Sequence, residues 1–361
     1  MAIGKSVVVV GAGIIGCAIA RELAVRGVAC TVIDDRPVGG GATRASAGML
    51  APYVEAHERG PLLDLAVRSL ALYDHWIAAV RLESAIDVEY RRIGTLEVAL
   101  DPQQAADLRR QASNQVPTEW LEPAAAKAAH PALGAIAGAL STRVHGYVAA
   151  PQLAAALARA AERHGATFRR AAVQRITTHG SAVGVTTTDG DCDAGTVVIA
   201  AGAWGHAIAG VRMPPLRPVR GQLLHLEWRG DPPSTIIWGP HCYIVPRTDG
   251  TLLVGATVEE VGFDERTTVA GVRDLLAAAC ELLPEARGAT FLEARAGLRP
   301  ATPDELPVLG SHPDTPAIVH ASGHYRNGVL LAPVTAKVIA DLIVEGKKDR
   351  CLDAFAPTRF F

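Results

Sequence analysis

The sequence lacks an excess of either charge: 35 lysines and arginines nearly balance 37 aspartates and glutamates, for a formal net charge of −2. Because proteins that bind nucleic acid usually present a basic surface, this balance argues against a nucleic-acid partner. No apolar run approaches the roughly 20 residues needed to cross a bilayer, so we expect no membrane partner. Met1 to Ser6 are too few and too polar for a secretory signal, which predicts a cytoplasmic protein.

Cysteine is scarce and scattered. The six cysteines show neither a CxxC pair nor the spacing of a metal site, so we expect reduced thiols in a reducing compartment and no bound metal. With 361 residues, 49% of them hydrophobic, the chain can bury a core without disulfides. Composition thus indicates a globular protein of one large domain or two intimately joined domains.

What the sequence does have is a glycine motif near its N-terminal end. A run of four valines leads into the segment Gly11 to Gly16, which opens a predicted helix, and the next apolar run ends at Asp34. Gly11 permits the tight turn, Gly13 lets backbone amides approach a pyrophosphate, and Gly16 allows the helix to pack closely on the strand. Asp34 can accept hydrogen bonds from ribose hydroxyls. Strand, turn, helix and acid in this order predict a dinucleotide site.

The rest of the chain alternates between helical and extended patterns. Apolar spacing predicts helices over 62–80, 102–115, 122–129, 151–164, 269–283 and 327–344. Strands are predicted over 88–100 with a turn at Gly94, and over 167–170, 172–177, 182–188, 195–204, 222–228, 242–245, 251–257, 291–298 and 317–321. We therefore expect an α/β (α+β) fold in which two domains are interleaved. A Rossmann-like nucleotide-binding domain takes segments 1–87, 145–210 and 300–361, and an antiparallel-sheet substrate domain takes 88–144 and 211–299.

Three segments further along the chain carry candidate chemistry. Tyr243 alternates with an apolar neighbour, so it either contacts a ligand or packs a half-buried sheet face. Arg299 ends a predicted strand, where its planar guanidinium can bind a carboxylate through two hydrogen bonds; the alternative is an ion pair with Asp304 that pins the loop. Segment 323–328 precedes the apolar C-terminal helix, whose N-terminus favours negative charge on a bound group, or it simply caps that helix.

Taken together, these motifs resemble the glycine oxidase branch of the D-amino acid oxidase family. The resemblance runs through the chain in order and rests on segments 11–16, 46–50, 202–204, 241–247, 297–300 and 323–333. It implies non-covalent FAD and oxidative deamination of glycine, sarcosine or small D-amino acids to the 2-oxo acid. Hydride would pass to flavin N5, and dioxygen would be reduced to hydrogen peroxide. The resemblance also implies a homo-oligomer, a tetramer or a dimer, and in bacteria an imine supply for the thiazole of thiamine.

The resemblance assigns roles to individual residues by position. Arg299 is expected to bind the substrate carboxylate, Tyr243 to hydrogen-bond it and Arg326 to support that pair, which makes these three the expected catalytic residues. Val258 and His241 complete the expected substrate side. FAD contacts are expected from Gly11, Gly13, Ile14, Ile15, Gly16, Asp34, Asp35, Ala42, Thr43, Ala47, Gly48, Met49, Val173, Gly202, Trp204 and the run His324, Tyr325, Arg326, Asn327, Gly328, Val329 and Leu330.

Two positions depart from the familiar pattern of that family. Val258 stands where methionine is common, and Asp34 stands where a longer glutamate meets the ribose, so the substrate pocket and that contact can differ. A covalent flavin of the sarcosine oxidase kind needs a cysteine near the flavin edge, where this chain has the segment 298–300, Leu-Arg-Pro. The open alternatives are an FAD-dependent D-amino acid dehydrogenase that passes electrons to a quinone, an oxidase of another amino acid or secondary amine, a nicotinamide-dependent reductase, and a flavin-binding protein without turnover.

Overall fold

The computed structural model describes residues 6–55, 60–112, 118–179 and 182–361. Its helices are α1 (Ile14–Val25), α2 (Pro52–Glu55), α3 (Pro61–Ser84), α4 (Pro102–Ala112), α5 (Pro123–Ala129), α6 (Ala150–Arg163), α7 (Val269–Leu282), α8 (Gly328–Glu345) and α9 (Leu352–Phe355). Short 3-10 helices cover Ala42–Ala45, Gly202–Ala207, Pro284–Gly288 and Pro357–Phe360. The strands are β1 (Val7–Val10), β2 (Cys30–Asp34), β3 (Met49–Leu50), β4 (Tyr90–Arg91), β5 (Thr95–Ala99), β6 (Thr118–Leu121), β7 (Gly138–Thr142), β8 (Gly146–Val148), β9 (Thr167–Arg170), β10 (Val173–His179), β11 (Ala182–Thr187), β12 (Cys192–Ala194), β13 (Thr196–Ile199), β14 (Arg217–Glu227), β15 (Ile236–Trp238), β16 (Tyr243–Pro246), β17 (Thr251–Gly255), β18 (Thr290–Ala301), β19 (Val308–Ser311) and β20 (Ile318–Ser322).

The strand of four valines lies inside a six-stranded sheet of order β19-β20-β13-β1-β2-β9. β1 pairs in parallel with β2 and β13, with Val7 opposite Cys30 and Thr196, and β19 alone runs antiparallel to its neighbour. Side chains of β1 are buried on both faces, as expected for a parallel strand. One face shares a core with α1, α3, α6 and α8. The carboxyl ends of β1, β2, β13 and β20 therefore meet at one edge, where open α/β sheets usually bind ligands.

The second large sheet has the order β18-β14-β17-β16-β15-β5-β7-β6. Neighbouring strands are antiparallel except β15 and β5, so the sheet that was predicted to be antiparallel is mixed. Helix α7 covers one face, where Ile244 and Leu275 belong to the same buried cluster. Because side chains alternate along a strand, Tyr243 points to the opposite face.

The predicted fold class is confirmed, and every predicted helix is present. The predicted end of α4 at Gln115 lies outside the described residues. The predicted turn at Gly94, which has a φ of 73°, is present between β4 and β5, but these two strands join different sheets. The missed strands β3, β6, β7, β8, β12, β15 and β19 are only two to five residues long, too short for an alternating pattern to show.

Both large sheets are assembled from separated segments of the chain. Strands of the parallel sheet come from 7–34, 167–199 and 308–322, and those of the mixed sheet come from 95–142 and 217–301. The domain boundaries given above stay a prediction. Among the described residues, no helix is both long enough and apolar enough to cross a membrane.

Candidate active site

A cavity of about 590 Å³ lies between the carboxyl edge of the parallel sheet and the mixed sheet. One wall comes from the ends of β1, β2, β13 and β20, at Gly11, Asp34, Ala200 and Ser322. The facing wall comes from β14, β16, β17 and β18, at Gly221, Tyr243, Gly255 and Arg299. The cavity thus connects the glycine motif near the N-terminus with Tyr243 and Arg299, two of the candidate substrate-binding residues.

Backbone carbonyl groups pack directly against two glycines of the turn after β1. Gly11 has a φ of 109°, and a β-carbon there would overlap the carbonyl of Ala200. A β-carbon at Gly16 would overlap the carbonyl of Gly11. Only glycine fits either position, so the turn can bring its amides close to a ligand while α1 packs against the strand.

Asp34 orders the same turn from the end of β2. Its Oδ2 accepts from the backbone N–H of Ala12 at 2.6 Å, and its Oδ1 accepts from that of Arg36 at 2.8 Å. Burial raises the pKa of Asp34 above its ordinary value, although these two amide bonds act in the opposite direction. The predicted contact with a ribose hydroxyl requires Asp34 to use a remaining lone pair on the cavity side.

Two helices begin at the cavity, and in neither does the N-cap residue cap the helix with its own side chain. Gly13 at the start of α1 and Asn327 at the start of α8 provide no side-chain cap, and neither first turn contains an acidic residue. Thr43 Oγ1 accepts one amide of α1, from Ile14, at 3.1 Å. Free first-turn amides favour negative charge. The cavity therefore fits a dinucleotide whose pyrophosphate meets α1 and whose electron-accepting ring meets α8, as FAD would.

The turn before α8 is fixed by buried polar contacts. His324 Nε2 lies 3.1 Å from Thr335 Oγ1, and burial lowers the pKa of His324 to about 3. The imidazole is therefore neutral at physiological pH. Ser69 Oγ donates to the carbonyl of Leu330 at 2.6 Å, which holds the first turn of α8 against α3.

Arg299 leans from β18 across the neighbouring strand β14. Its Nη1 donates to the carbonyl of Thr257 at 2.9 Å. The guanidinium lies over Gly221, where any β-carbon would overlap it. Asp304 pairs with Arg359 at 3.0 Å, so Arg359 contacts that loop.

Tyr243 leans from β16 in the opposite direction, across β17. A β-carbon at Gly255 would be only 2.5 Å from its hydroxyl. The ring stacks on Trp238 with centroids 5.4 Å apart and an interplanar angle of 28°. The guanidinium carbon of Arg326 lies 5.7 Å from the centre of the Trp238 ring. Arg299 and Tyr243 thus approach each other above two adjacent glycine-bearing strands.

Most of the predicted site residues line the cavity. On the substrate side these are His241, Tyr243, Val258, Arg299 and Arg326. On the cofactor side they are Gly11, Gly13, Ile14, Ile15, Asp34, Asp35, Ala42, Thr43, Ala47, Gly48, Met49, Val173, Gly202, Trp204, His324, Tyr325, Arg326, Asn327, Gly328 and Val329.

Two predicted cofactor contacts are set back from the cavity. Gly16 faces the carbonyl of Gly11, and Leu330 is buried in the core beneath α8 with its carbonyl bonded to Ser69. Neither residue lines the cavity, and a contact of either with FAD stays a prediction. The lining residues that the sequence did not single out include Trp238, whose strand is three residues long, and Arg36, whose guanidinium carbon is 3.9 Å from the centre of a Trp204 ring.

The comparison with known families decides the class of protein. The family described as FAD dependent oxidoreductase matches residues 6–342. The chain belongs to this family. FAD is thus the cofactor of this protein, in agreement with the two helix N-termini at the cavity, neither of which has an acidic residue in its first turn.

Two curated relatives match nearly the whole chain. The "Bifunctional protein ThiO/ThiG" of a Nostoc species is 38% identical over 364 residues, which cover 98% of this chain and 55% of the relative. The chain therefore spans about half the length of that protein. The glycine oxidase of Geobacillus kaustophilus is 37% identical over 364 residues, which cover 98% of this chain and 96% of the relative.

The fold agrees with these sequence matches. The crystal structure of glycine oxidase from Geobacillus kaustophilus superimposes with a TM-score of 0.95 at 36% identity, over 99% of this chain and all of that chain. The resemblance to the glycine oxidase branch is therefore confirmed. The motifs alone did not show that Arg299 lies over Gly221 and Tyr243 over Gly255. They also did not show that Trp238 stacks on Tyr243.

Proposed function

We propose that this FAD-dependent oxidoreductase is an oxidase of glycine and other small amino acids, such as sarcosine and small D-amino acids. The observation that carries the proposal is the pair of Arg299 and Tyr243, which lean toward each other over Gly221 and Gly255 on one cavity wall. A guanidinium beside a phenol hydroxyl suits a carboxylate. The similarity to a protein named glycine oxidase supports a small amino acid as the molecule that carries it.

The contribution of the chain to the reaction is positioning. Arg299 binds the substrate carboxylate, and the hydroxyl of Tyr243 adds a further hydrogen bond to it. FAD, when bound, supplies the acceptor for the hydride that leaves the α-carbon. The stacked rings of Tyr243 and Trp238 exclude water from one side of the site. No side chain has to remove a proton when the amine binds in its neutral form, so orientation carries most of the rate enhancement.

The overall reaction balances with dioxygen as the final acceptor. Glycine, water and dioxygen give glyoxylate, ammonia and hydrogen peroxide. A quinone-dependent dehydrogenase would share the substrate side and differ only in where the electrons go. Dioxygen consumption therefore has to be tested directly.

A peroxide-coupled screen of the purified yellow protein tests this proposal. Glycine, sarcosine, D-alanine, D-proline and larger amines are each supplied in air, and peroxide and 2-oxo acid are measured in parallel. We expect equal amounts of both products, with glycine among the best substrates. Turnover with a quinone dye but no peroxide would identify a dehydrogenase, and turnover of bulky amines alone would overturn the assignment to glycine.

We further propose a cytoplasmic homo-oligomer, a tetramer or a dimer, that serves thiamine synthesis. Free thiols at all six cysteines agree with a reducing compartment. The similarity to the bifunctional ThiO/ThiG protein supports the thiamine role. Light scattering during size-exclusion chromatography tests the oligomeric state, and growth of a deletion strain without thiamine tests the pathway.

A further inference from the structure

A partly buried ion pair begins on β14, the strand that Arg299 leans across, and neither of its residues lines the cavity. Arg220 on β14 is buried, and its Nη2 donates to Glu259 Oε2 at 2.5 Å. Asp264 Oδ2 lies 3.0 Å from Arg220 Nη1. Glu259 also binds the side chain of Thr257, whose carbonyl accepts a hydrogen bond from Arg299. The proposed function assigns no role to it.

Glu259 accepts two more hydrogen bonds through its other oxygen. Its Oε1 accepts from Gln222 Nε2 at 2.7 Å and from Thr257 Oγ1 at 2.5 Å. Burial acts to raise the pKa of Glu259, but the hydrogen bonds from its three donors outweigh this and hold that pKa below its ordinary value. The carboxylate is therefore charged at neutral pH and ties β14 to the segment that follows β17.

The residues that Glu259 ties down are those whose carbonyls hold Arg299. Arg299 Nη1 donates to the carbonyl of Thr257 at 2.9 Å and to that of Arg220 at 3.4 Å. The carbonyl of Arg220 also accepts the backbone N–H of Glu259 at 3.0 Å, and Thr257 Oγ1 accepts that of Gln222 at 2.9 Å. Arg299 Nη1 thus donates to the carbonyls of two residues whose side chains bind the Glu259 carboxylate.

We infer that Glu259 is a positioning residue for the substrate-binding arginine and acts through Thr257 and Arg220. The inference rests on the proposed role of Arg299 in binding a carboxylate. Within the described residues, Arg220 Nε has no hydrogen-bond partner, so Arg220 is already short of one acceptor. Loss of Glu259 would remove a second acceptor, and Arg220 and Thr257 would shift to find others. Arg299 would then lose its fixed position over Gly221.

The test compares Glu259→Gln and Glu259→Ala with Glu260→Gln. Glu260 is the next residue, and its carboxylate forms an exposed pair with Arg217 at 3.0 Å, outside this network. Two quantities are measured in FAD-loaded protein: steady-state KM and kcat for glycine, and the affinity for acetate, followed by the change in flavin absorbance. Acetate reports carboxylate binding without turnover.

We expect Glu259→Ala to raise the KM for glycine and the Kd for acetate by about tenfold each. We expect kcat to change by less than about twofold, because the lost interaction acts on binding. Glu259→Gln, which keeps an acceptor for Thr257, should give a smaller shift, and Glu260→Gln none. A purely structural role would lower Tm in both Glu259 variants without this split between KM and kcat.

Unchanged acetate affinity in both Glu259 variants would overturn the inference, whether or not glycine is a substrate. If Glu259→Ala does not fold, Glu259→Gln alone decides the matter. Equal shifts in Glu260→Gln would also overturn it, because that carboxylate contacts neither Thr257 nor Arg220. Absence of amino acid oxidation by the wild-type protein, with acetate affinity still dependent on Glu259, would overturn the proposed function and leave the inference standing.

Discussion

The guanidinium of Arg299 and the backbone of Gly221 lie in contact, so that no residue larger than glycine leaves the guanidinium in place. Tyr243 and Gly255 repeat this relationship on the neighbouring pair of strands, β16 and β17. Two glycines on adjacent strands therefore form a floor on which the arginine and the phenol lie. Because neither glycine has a side chain, the strands leave room for the guanidinium of Arg299 and the phenol of Tyr243.

Gly221→Ala is expected to weaken substrate binding without affecting FAD. The new methyl group displaces the guanidinium, and loss of a charge-assisted hydrogen bond of roughly 1.5–3 kcal/mol raises the KM for glycine at least about tenfold. Steady-state kinetics and the flavin absorbance of the purified protein measure the two effects. Gly288→Ala is the control, because that glycine is exposed with open space around it. A Gly221→Ala enzyme with wild-type KM would show that Arg299 does not set affinity.

Gly11→Ala is expected to impair FAD binding. A β-carbon there overlaps the carbonyl of Ala200, and a φ of 109° is unfavourable for alanine. The turn must open, which moves its amides away from the pyrophosphate. The Kd for FAD should therefore rise at least about tenfold, which corresponds to a loss of about 1.4 kcal/mol of binding free energy. The ratio of flavin to protein after purification and a fluorescence titration with FAD measure this. Full FAD occupancy and an unchanged Kd would contradict the assignment of this turn.

His320 is expected to make the protein sensitive to acid. It lies buried in β20, and neither ring nitrogen has a hydrogen-bond partner among the described residues. Burial, with a smaller contribution from His312, lowers the pKa of His320 to about 4 from an ordinary value of 6.5. Between these values the unfolded state binds more protons than the folded state. The free energy of unfolding therefore falls as pH falls from 6.5 toward 4.

His320→Leu should remove this dependence. The stability lost to His320 amounts to at most about 1.4 kcal/mol per pH unit within that window. Urea unfolding at pH 8, 6 and 5 should show a shallower loss of stability in the variant. At pH 8 the variant should be at least as stable as wild type, because no polar group is left buried without a partner. Equal pH slopes for the two proteins would contradict this account.

Glu89 is expected to stabilise the contact between β4 and the hairpin of β16 and β17. It accepts from Arg247 Nη2 at 2.5 Å and from the hydroxyl of Tyr147 at 2.6 Å, and the Arg247 and Glu89 side chains are only 10% and 15% exposed. Glu89→Ala leaves a buried guanidinium without its partner, which should cost about 3–5 kcal/mol of unfolding free energy.

Glu119→Ala provides the matched control for that change. Its pair with Arg143 has a separation of 2.9 Å, but the side chains of Arg143 and Glu119 are 82% and 55% exposed. Exposed pairs contribute at most about 1 kcal/mol. Denaturant unfolding of both variants measures the difference. Similar losses of unfolding free energy in Glu89→Ala and Glu119→Ala would mean that burial does not strengthen the contribution of the Glu89–Arg247 pair to stability.

The nucleotide wall could be predicted from the sequence because its geometry is local. Gly11, Gly13 and Asp34 lie within one strand, turn, helix and strand unit, and the spacing alone indicates how they meet. Gly16 and Leu330 are the two predicted cofactor contacts that do not line the cavity. Both belong to the right segment, but Gly16 packs against backbone and Leu330 points into the core.

The cavity wall formed by β14, β16, β17 and β18 could not be predicted from the sequence in the same way. The resemblance named Arg299 and Tyr243, but their floor depends on the order β18-β14-β17-β16, which brings together strands far apart in the chain. Sequence spacing gives neither that order nor its register. For the same reason the sequence did not point to Trp238, which pairs with Tyr243 across β15 and β16.

The most direct test of the account is the KM for glycine of Arg299→Ala, measured together with its FAD content and compared with Tyr243→Phe. Removal of the guanidinium takes away a charge-assisted contact of roughly 1.5–3 kcal/mol, whereas Tyr243→Phe takes away one neutral hydrogen bond of about 1 kcal/mol. We predict full FAD content in both variants, a rise in KM of at least about tenfold for Arg299→Ala, and a smaller rise for Tyr243→Phe. An unchanged KM in an Arg299→Ala protein that holds FAD would contradict the account.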